Sequence, residues 1–310
     1  MGKLLGFVLG SIVGFVLVTA IVTSTTPVVS PLSNEELSNY FETHGTTHIA
    51  TVSFEKFLTT QALGQVAGTF DIATKSASSD VTNAPKALTI GLLGDSMIDT
   101  LGADLPHMRK TLTEKWPTTS FTLLNYGAGA TNVESGLDRL VNETTYLGIT
   151  RPPLLSRNLD IIVVESFAYN HWDNDQAGLD RQWIALTHIV ETIKNHNPNI
   201  KIVLANTIAP YCPTYTNGSA NLPTDRKFIE CQTVIAYLKN MENFAHSTRL
   251  PFANVFATSL KGAEGNPQFI NSGDHIHPSD KGKQLFAQEI AKALEQIIAD
   301  MSSPVLNDEL

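Results

Sequence analysis

The sequence predicts an α/β domain, a parallel sheet covered by helices on both faces. Two observations carry this. From Ala87 onward, apolar runs of strand length alternate with segments whose apolar residues recur at helical spacing, and strands joined by such helices run parallel. The composition, 42% apolar and 16% charged over 310 residues, is ample for a core and too apolar for a disordered chain. No internal repeat breaks the pattern, so one domain of about 220 residues is the economical reading.

Taken in order, the first element is Leu4–Val22, LLGFVLGSIVGFVLVTAIV, an uncharged run. As a helix it is about 28 Å long, close to the hydrocarbon thickness of a bilayer. Lys3 precedes it and no Lys or Arg follows until Lys56, a bias that leaves the start in the cytoplasm and sends the rest across. Residues 1–22 are therefore expected to be an uncleaved anchor, with the remainder extracytoplasmic. The competing expectation is a signal peptide cut after Val18-Thr19-Ala20, which makes the domain secreted. Gly6, Gly10 and Gly14 share one face of this helix, a pattern for weak pairing with a second copy, weighed against glycine being common in membrane helices. Either topology permits a disulfide between Cys212 and Cys231.

Residues 23–85 form a linker and juxtamembrane segment, opening on the Ser/Thr/Pro-rich Thr23–Pro31 and holding a helical pattern at Val52–Val66. The domain proper spans residues 86–302, followed by a tail at 303–310. Its strands are expected at Ala87–Leu93, Phe121–Leu124, Ile161–Val164, Ile202–Ala205 and Phe252–Phe256. Its helices are expected at Ile98–Lys115, Asn132–Tyr146, Asp180–His196, Asp225–His246 and Ser279–Met301. In the last of these Leu285, Phe286, Ile290, Leu294, Ile297 and Ile298 fall on one face.

Chemistry-bearing residues gather where loops leave the carboxyl ends of the strands, the edge at which such sheets bind ligands. Gly94-Asp95-Ser96 follows the first strand, Asn125 to Thr131 with its glycines the second, and Glu165 to Asn170 the third. Asp274-His275-Ile276-His277-Pro278 comes just before the final helix, and a carboxylate three residues from an imidazole can fix its tautomer. Each piece is short and, alone, weak. Serine after the first strand, glycine after the second, Asn after the third and D-x-x-H-P before the last helix together make a pattern.

In that order and placement the chain resembles the SGNH hydrolases, the GDSL esterase/lipase family, from Ala87 to Met301. Gly94-Asp95-Ser96 is similar to the family's first block, with Met97 where Leu is usual. The glycine of the second block falls on Gly129 or on Gly127, because the loop spacing fits both. The third block, G-x-N-D, is matched by Ala168-Tyr169-Asn170-His171, which keeps only the Asn; Ala there requires a negative φ. Asp274 and His277 match the fifth block.

The resemblance implies a three-layer α/β/α, flavodoxin-like fold with a five-stranded parallel sheet, and hydrolysis of an acyl ester of a glycan, lipid or small molecule. Ser96 would be the nucleophile, His277 the base and Asp274 its orienting carboxylate. The Ser96 and Gly129 amides and the Asn170 side chain would form the oxyanion hole. The alternatives are a catalytically silent module that binds an envelope polymer, and transfer of the acyl group to another hydroxyl. Retention of Ser96, Asp274, His277 and Asn170 together favours the enzyme.

Other classes find less support. With 21 Lys plus Arg against 30 Asp plus Glu, a net charge of −9 and no basic run, nucleic acid is not an expected partner. No dinucleotide or P-loop motif occurs, so no cofactor is expected. His275 beside His277 lacks further ligands at metal spacing, so no metal is expected.

Overall fold

A computed structural model describes residues 86–302. The expected anchor with Gly6, Gly10 and Gly14, the segment 23–85 with its helical pattern, and the tail 303–310 lie outside the described residues. Among the described residues no helix is long and apolar enough to cross a membrane.

Strand β1 (Lys86–Gly94) leads through the one-turn helix α1 (Ser96–Asp99) into α2 (Pro106–Lys115) and strand β2 (Thr119–Gly127). Helix α3 (Val133–Val141) and a hairpin of β3 (Thr144–Tyr146) and β4 (Ile149–Arg151) precede β5 (Ile161–Glu165). There follow α4 (Gln176–His196), β6 (Lys201–Ala205), α5 (Thr224–Thr248), the two-residue β7 (Phe252–Ala253) and the short α6 (Val255–Thr258). Helices α7 (Asp280–Ala293) and α8 (Glu295–Ser302) close the described chain.

The sheet runs β2-β1-β5-β6-β7 with every neighbouring pair parallel. Alternate strand residues divide between two cores. Leu88, Ile90, Leu92, Val163 and Val203 pack with Met108 and Leu112 of α2, Phe286 and Ile290 of α7 and Ile298 of α8. Leu93, Ile162, Val164, Ile202 and Leu204 pack with Val133 and Leu140 of α3, Leu186 and Ile189 of α4 and Met241 and Phe244 of α5. Each such fully buried side chain contributes about 1.5–3 kcal/mol, which makes the two faces the main source of stability. Three layers result, as expected. The order reverses between β1 and β5, because the chain leaves β1 toward one face and β5 toward the other. A crevice opens there, at the strands' carboxyl ends.

The boundaries differ from the expected ones for local reasons. The helix expected over Ile98–Lys115 is broken between α1 and α2, where Gly102 (φ 91°) and Leu105 (φ 48°) are left-handed and Pro106 starts the new helix. The one expected over Asn132–Tyr146 stops at Val141. Thr144 and Thr145 favour a strand, and Leu147 and Gly148, both at positive φ, turn it into the hairpin. The fifth strand keeps two residues because Asn254 caps α6, its Oδ1 accepting from the Ala257 amide at 3.1 Å.

Cys212 and Cys231 are joined by a disulfide, which ties the 3-10 turn Cys212–Thr214 to α5. The loop it anchors continues to Ser219, whose hydroxyl donates to the Asp274 carbonyl at 3.0 Å. Gly218 (φ 77°) presses so closely on the Gly273 carbonyl that a Cβ would lie 2.1 Å from it. Replacing both cysteines by serine should cost about 3 kcal/mol in urea unfolding, the loop-entropy value for a crosslink of this span. The unreduced protein should offer no thiol to an alkylating reagent; two labelled cysteines would show that the bond does not form.

Candidate active site

Asp95, at the turn after β1, is fully buried and does two things with its carboxylate. Oδ1 accepts from the Met97 amide at 2.8 Å and so caps α1. Oδ2 accepts from Asn170 Nδ2 at 2.9 Å and so links the first loop to the third. Ser96 between them is half-buried at the start of α1.

The two glycines of the second loop separate clearly. The Gly127 amide donates to Asn125 Oδ1 at 2.8 Å, and a Cβ on Gly127 would lie 2.2 Å from the Asp99 nitrogen, so this glycine is spent on packing β2 against α1. Asn125 completes that seam through Nδ2, which donates to the carbonyls of Ile98 at 3.0 Å and Gly102 at 2.9 Å. A Cβ on Gly129, by contrast, would lie 3.7 Å from the Ser96 Cβ. Its amide donates at 2.9 Å to a side chain from elsewhere in the chain, the Tyr146 hydroxyl.

The third loop is shaped by Glu165, the last residue of β5 and fully buried. Its carboxyl accepts from the Ser166 hydroxyl at 2.6 Å and the Phe167 amide at 3.0 Å, holding Phe167 at φ 55° at the entrance to the turn Ala168–Asn170. Ala168 is not among the residues with positive φ, so the backbone tolerates alanine where the family pattern has glycine. Burial, then the neighbouring Asp95 charge, pushes the Glu165 carboxyl well above the ordinary range. Asp95 is also raised by burial, but the Met97 and Asn170 hydrogen bonds and the charges of His277 and Arg139 favour its ionised form. Arg139, only 6% exposed, donates to the Gly94 carbonyl at 2.8 Å and to the Thr131 hydroxyl at 3.1 Å. Burial pulls its guanidinium down to about 10, still protonated at neutral pH.

Before α7, Asp274 Oδ2 accepts from His277 Nδ1 at 3.0 Å, while Oδ1 accepts from the amides of Ile276 at 2.9 Å and His277 at 3.0 Å. A carboxylate can only accept, so Nδ1 carries a proton, and Nε2 is the ring nitrogen left for proton exchange. Partial burial pushes the Asp274 carboxyl up, but the Ile276 amide, the His277 ring and amide and the His277 charge outweigh it and hold it below its ordinary value. A carboxyl lowered in the folded state stabilises fully above its unfolded value and loses that contribution as pH falls through the folded one. The stability gap between the wild type and Asp274→Asn should therefore be widest near neutrality and narrow as pH falls through and below the ordinary carboxylate range; a gap constant down to acid unfolding would contradict this.

The sequence pattern left other residues open, and their partners are now visible. Tyr126 and Tyr169 donate to the carbonyls of Pro152 at 2.9 Å and Ile208 at 3.1 Å, which makes them packing residues. His171 Nδ1 donates to the Trp172 carbonyl at 2.7 Å, Trp172 lies under the Arg181 guanidinium at 4.6 Å, and the Asp173 carbonyl accepts from Tyr237 at 3.0 Å. His275 sits at φ 55° with its amide on the Asn271 carbonyl. Among the described residues no group of three or more His, Cys, Asp or Glu could hold a metal ion. Sequence reasoning missed Glu165, Arg139 and Tyr146. An acid closing the apolar run IIVVE, and an arginine on the apolar stripe of α3 with Val133, Gly136 and Leu140, were the available signals for the first two.

No protein-family model and no curated protein matches the chain. Solved structures do. A gut microbial diltiazem-metabolizing enzyme is 17% identical over 67% of this chain and 47% of its own, with a TM-score of 0.50. A GDSL-like lipase of Bacteroides thetaiotaomicron is 15% identical over 79% of this chain and 98% of its own, with a TM-score of 0.48. An acetylxylan esterase of Geobacillus stearothermophilus is 16% identical over 69% and 97%, with a TM-score of 0.47. At such identities the likeness is one of fold.

Proposed function

We propose that this chain is a serine esterase that hydrolyses an acyl ester of a glycan, a lipid or a small molecule. One observation carries the reading: Asp274 Oδ2 accepts from His277 Nδ1 at 3.0 Å, a carboxylate–imidazole pair of the kind that activates a serine hydroxyl. In this reading Ser96 Oγ attacks the ester carbonyl as His277 Nε2 takes its proton, and Asp274 stabilises the imidazolium that forms. The imidazolium then protonates the departing alkoxide, a water activated by the same nitrogen attacks the acyl-serine, and the acid leaves. Negative charge on the carbonyl oxygen is met by the Ser96 and Gly129 amides and by Asn170. One Asn170 N–H is held by Asp95, which leaves the other to face the substrate. Gly127 is unsuited to that role because it is pressed against the α1 backbone, where a Cβ would lie 2.2 Å from the Asp99 nitrogen, whereas one on Gly129 would lie 3.7 Å from the Ser96 Cβ.

The uncharged run at residues 4–22 and the charge bias around it support a domain that works outside the cytoplasm on a membrane anchor. The test is chemical. The purified protein should release p-nitrophenol from p-nitrophenyl acetate and take up a fluorophosphonate at Ser96, mapped by peptide mass. Hydrolysis without labelling of Ser96, or no hydrolysis across esters of increasing acyl length, would refute the assignment.

A further inference from the structure

The Gly129 amide already has an oxygen in front of it. Tyr146 Oη accepts this N–H at 2.9 Å and donates its own proton to Asp99 Oδ2 at 3.0 Å. Donation to a carboxylate polarises the phenol and makes its oxygen a stronger acceptor. A Cβ built on Gly129 would lie 2.8 Å from that oxygen and 3.7 Å from the Ser96 Cβ, so both border the same space beside Gly129. Burial, together with the hydrogen bond to Asp99 and its charge, raises the Tyr146 hydroxyl above its ordinary value, which keeps it protonated.

The element that carries Tyr146 is short and pairs apart from the main sheet. Strands β3 and β4 pair over three residues each, away from the main sheet, and two-stranded hairpins of this size have little stability of their own. At the turn Leu147 is 79% exposed and Ile149 56%, so shifting the hairpin disturbs little core.

We propose that the Tyr146 hydroxyl is a displaceable cap on the oxyanion site, a residue that sets the enzyme's affinity for its ester by competing with the substrate carbonyl for the Gly129 amide. The proposal rests on the esterase reading above. Two oxygens cannot both lie along one N–H, so the ester's carbonyl enters as Oη withdraws, still bonded to Asp99. The cap keeps a half-buried donor satisfied in the free enzyme and is gone once substrate is bound. Tyr146 is thus a determinant of KM and not of kcat.

Tyr146→Phe in the full chain keeps the ring and deletes only the oxygen. With p-nitrophenyl acetate, KM is expected to fall about three- to tenfold, the worth of one neutral hydrogen bond, while kcat stays within about twofold. Asp99→Ala, which removes the anchor of the hydroxyl, should move KM the same way by less. Amide hydrogen exchange at Gly129, which needs no substrate, should be faster in Tyr146→Phe than in the wild type. An active wild type whose KM is unchanged in both variants overturns the cap alone, and so does a fall in kcat, since the hydroxyl would then be working in the transition state. A wild type that hydrolyses no ester overturns the esterase reading itself.

Discussion

Ser96→Ala should abolish ester hydrolysis and phosphonate labelling while the protein unfolds at an unchanged urea midpoint. The hydroxyl is small and lies at the start of a one-turn helix, and the turn is held by Asp95 and Asn125 and not by Ser96 itself. The expected loss in kcat is on the order of 10⁴-fold or more, because no other group supplies the nucleophile. His277→Ala should be nearly as damaging. Asp274→Asn should be severe but milder, since the carboxylate orients the ring and does not carry the proton to the leaving group. His275→Ala should change little, which separates the two histidines. Full activity in Ser96→Ala would refute the mechanism, and an essential His275 beside a dispensable His277 would move the base to the other ring.

The second large effect is expected one residue earlier. Asp95→Ala removes the acceptor for both the Met97 amide and Asn170 Nδ2 inside a fully buried site. Stability should drop by about 2–5 kcal/mol, because buried donors lose their partner and the Arg139 charge loses its neighbour. The catalytic loss should approach that of Asn170→Ala, roughly 10²–10³-fold in kcat for one oxyanion donor. If Asp95 acts through Asn170, the double variant should lose little more kcat than either single one. Additive losses would show that the Asn170 amide needs no help from below.

What could be read in advance divides along local and long-range lines. The β1, β5 and β6 runs were legible because strands buried on both faces are continuous stretches of Leu, Ile and Val. The Asp274–His277 contact was legible because it closes within one turn of chain. The breaks were less so: Pro106 fits a first helical position as well as it fits a stop, and only the left-handed Leu105 settles the matter. Tyr146 was counted into a helix, and its meeting with Gly129 depends on how the hairpin turns back. Glu165 reads as the end of a strand until the sheet brings Asp95 against it.

The strand order β2-β1-β5-β6-β7 also governs when, during folding, a working site can first exist. Parallel neighbours require crossovers, so each pairing joins residues distant in sequence and loop closure precedes any gain from contact. Ser96 stands near the start of the described chain, and Asp274 and His277 near its end. The helix that follows them, α7, docks on α2 through Gln284 to His107 and Thr111, nearly the full span of the domain. With Ser96 as nucleophile and His277 as base, as proposed, a growing chain carries the first long before the second. Partial folds should then be inert, and the return of activity on refolding should time the arrival of α7 and not the collapse of the sheet.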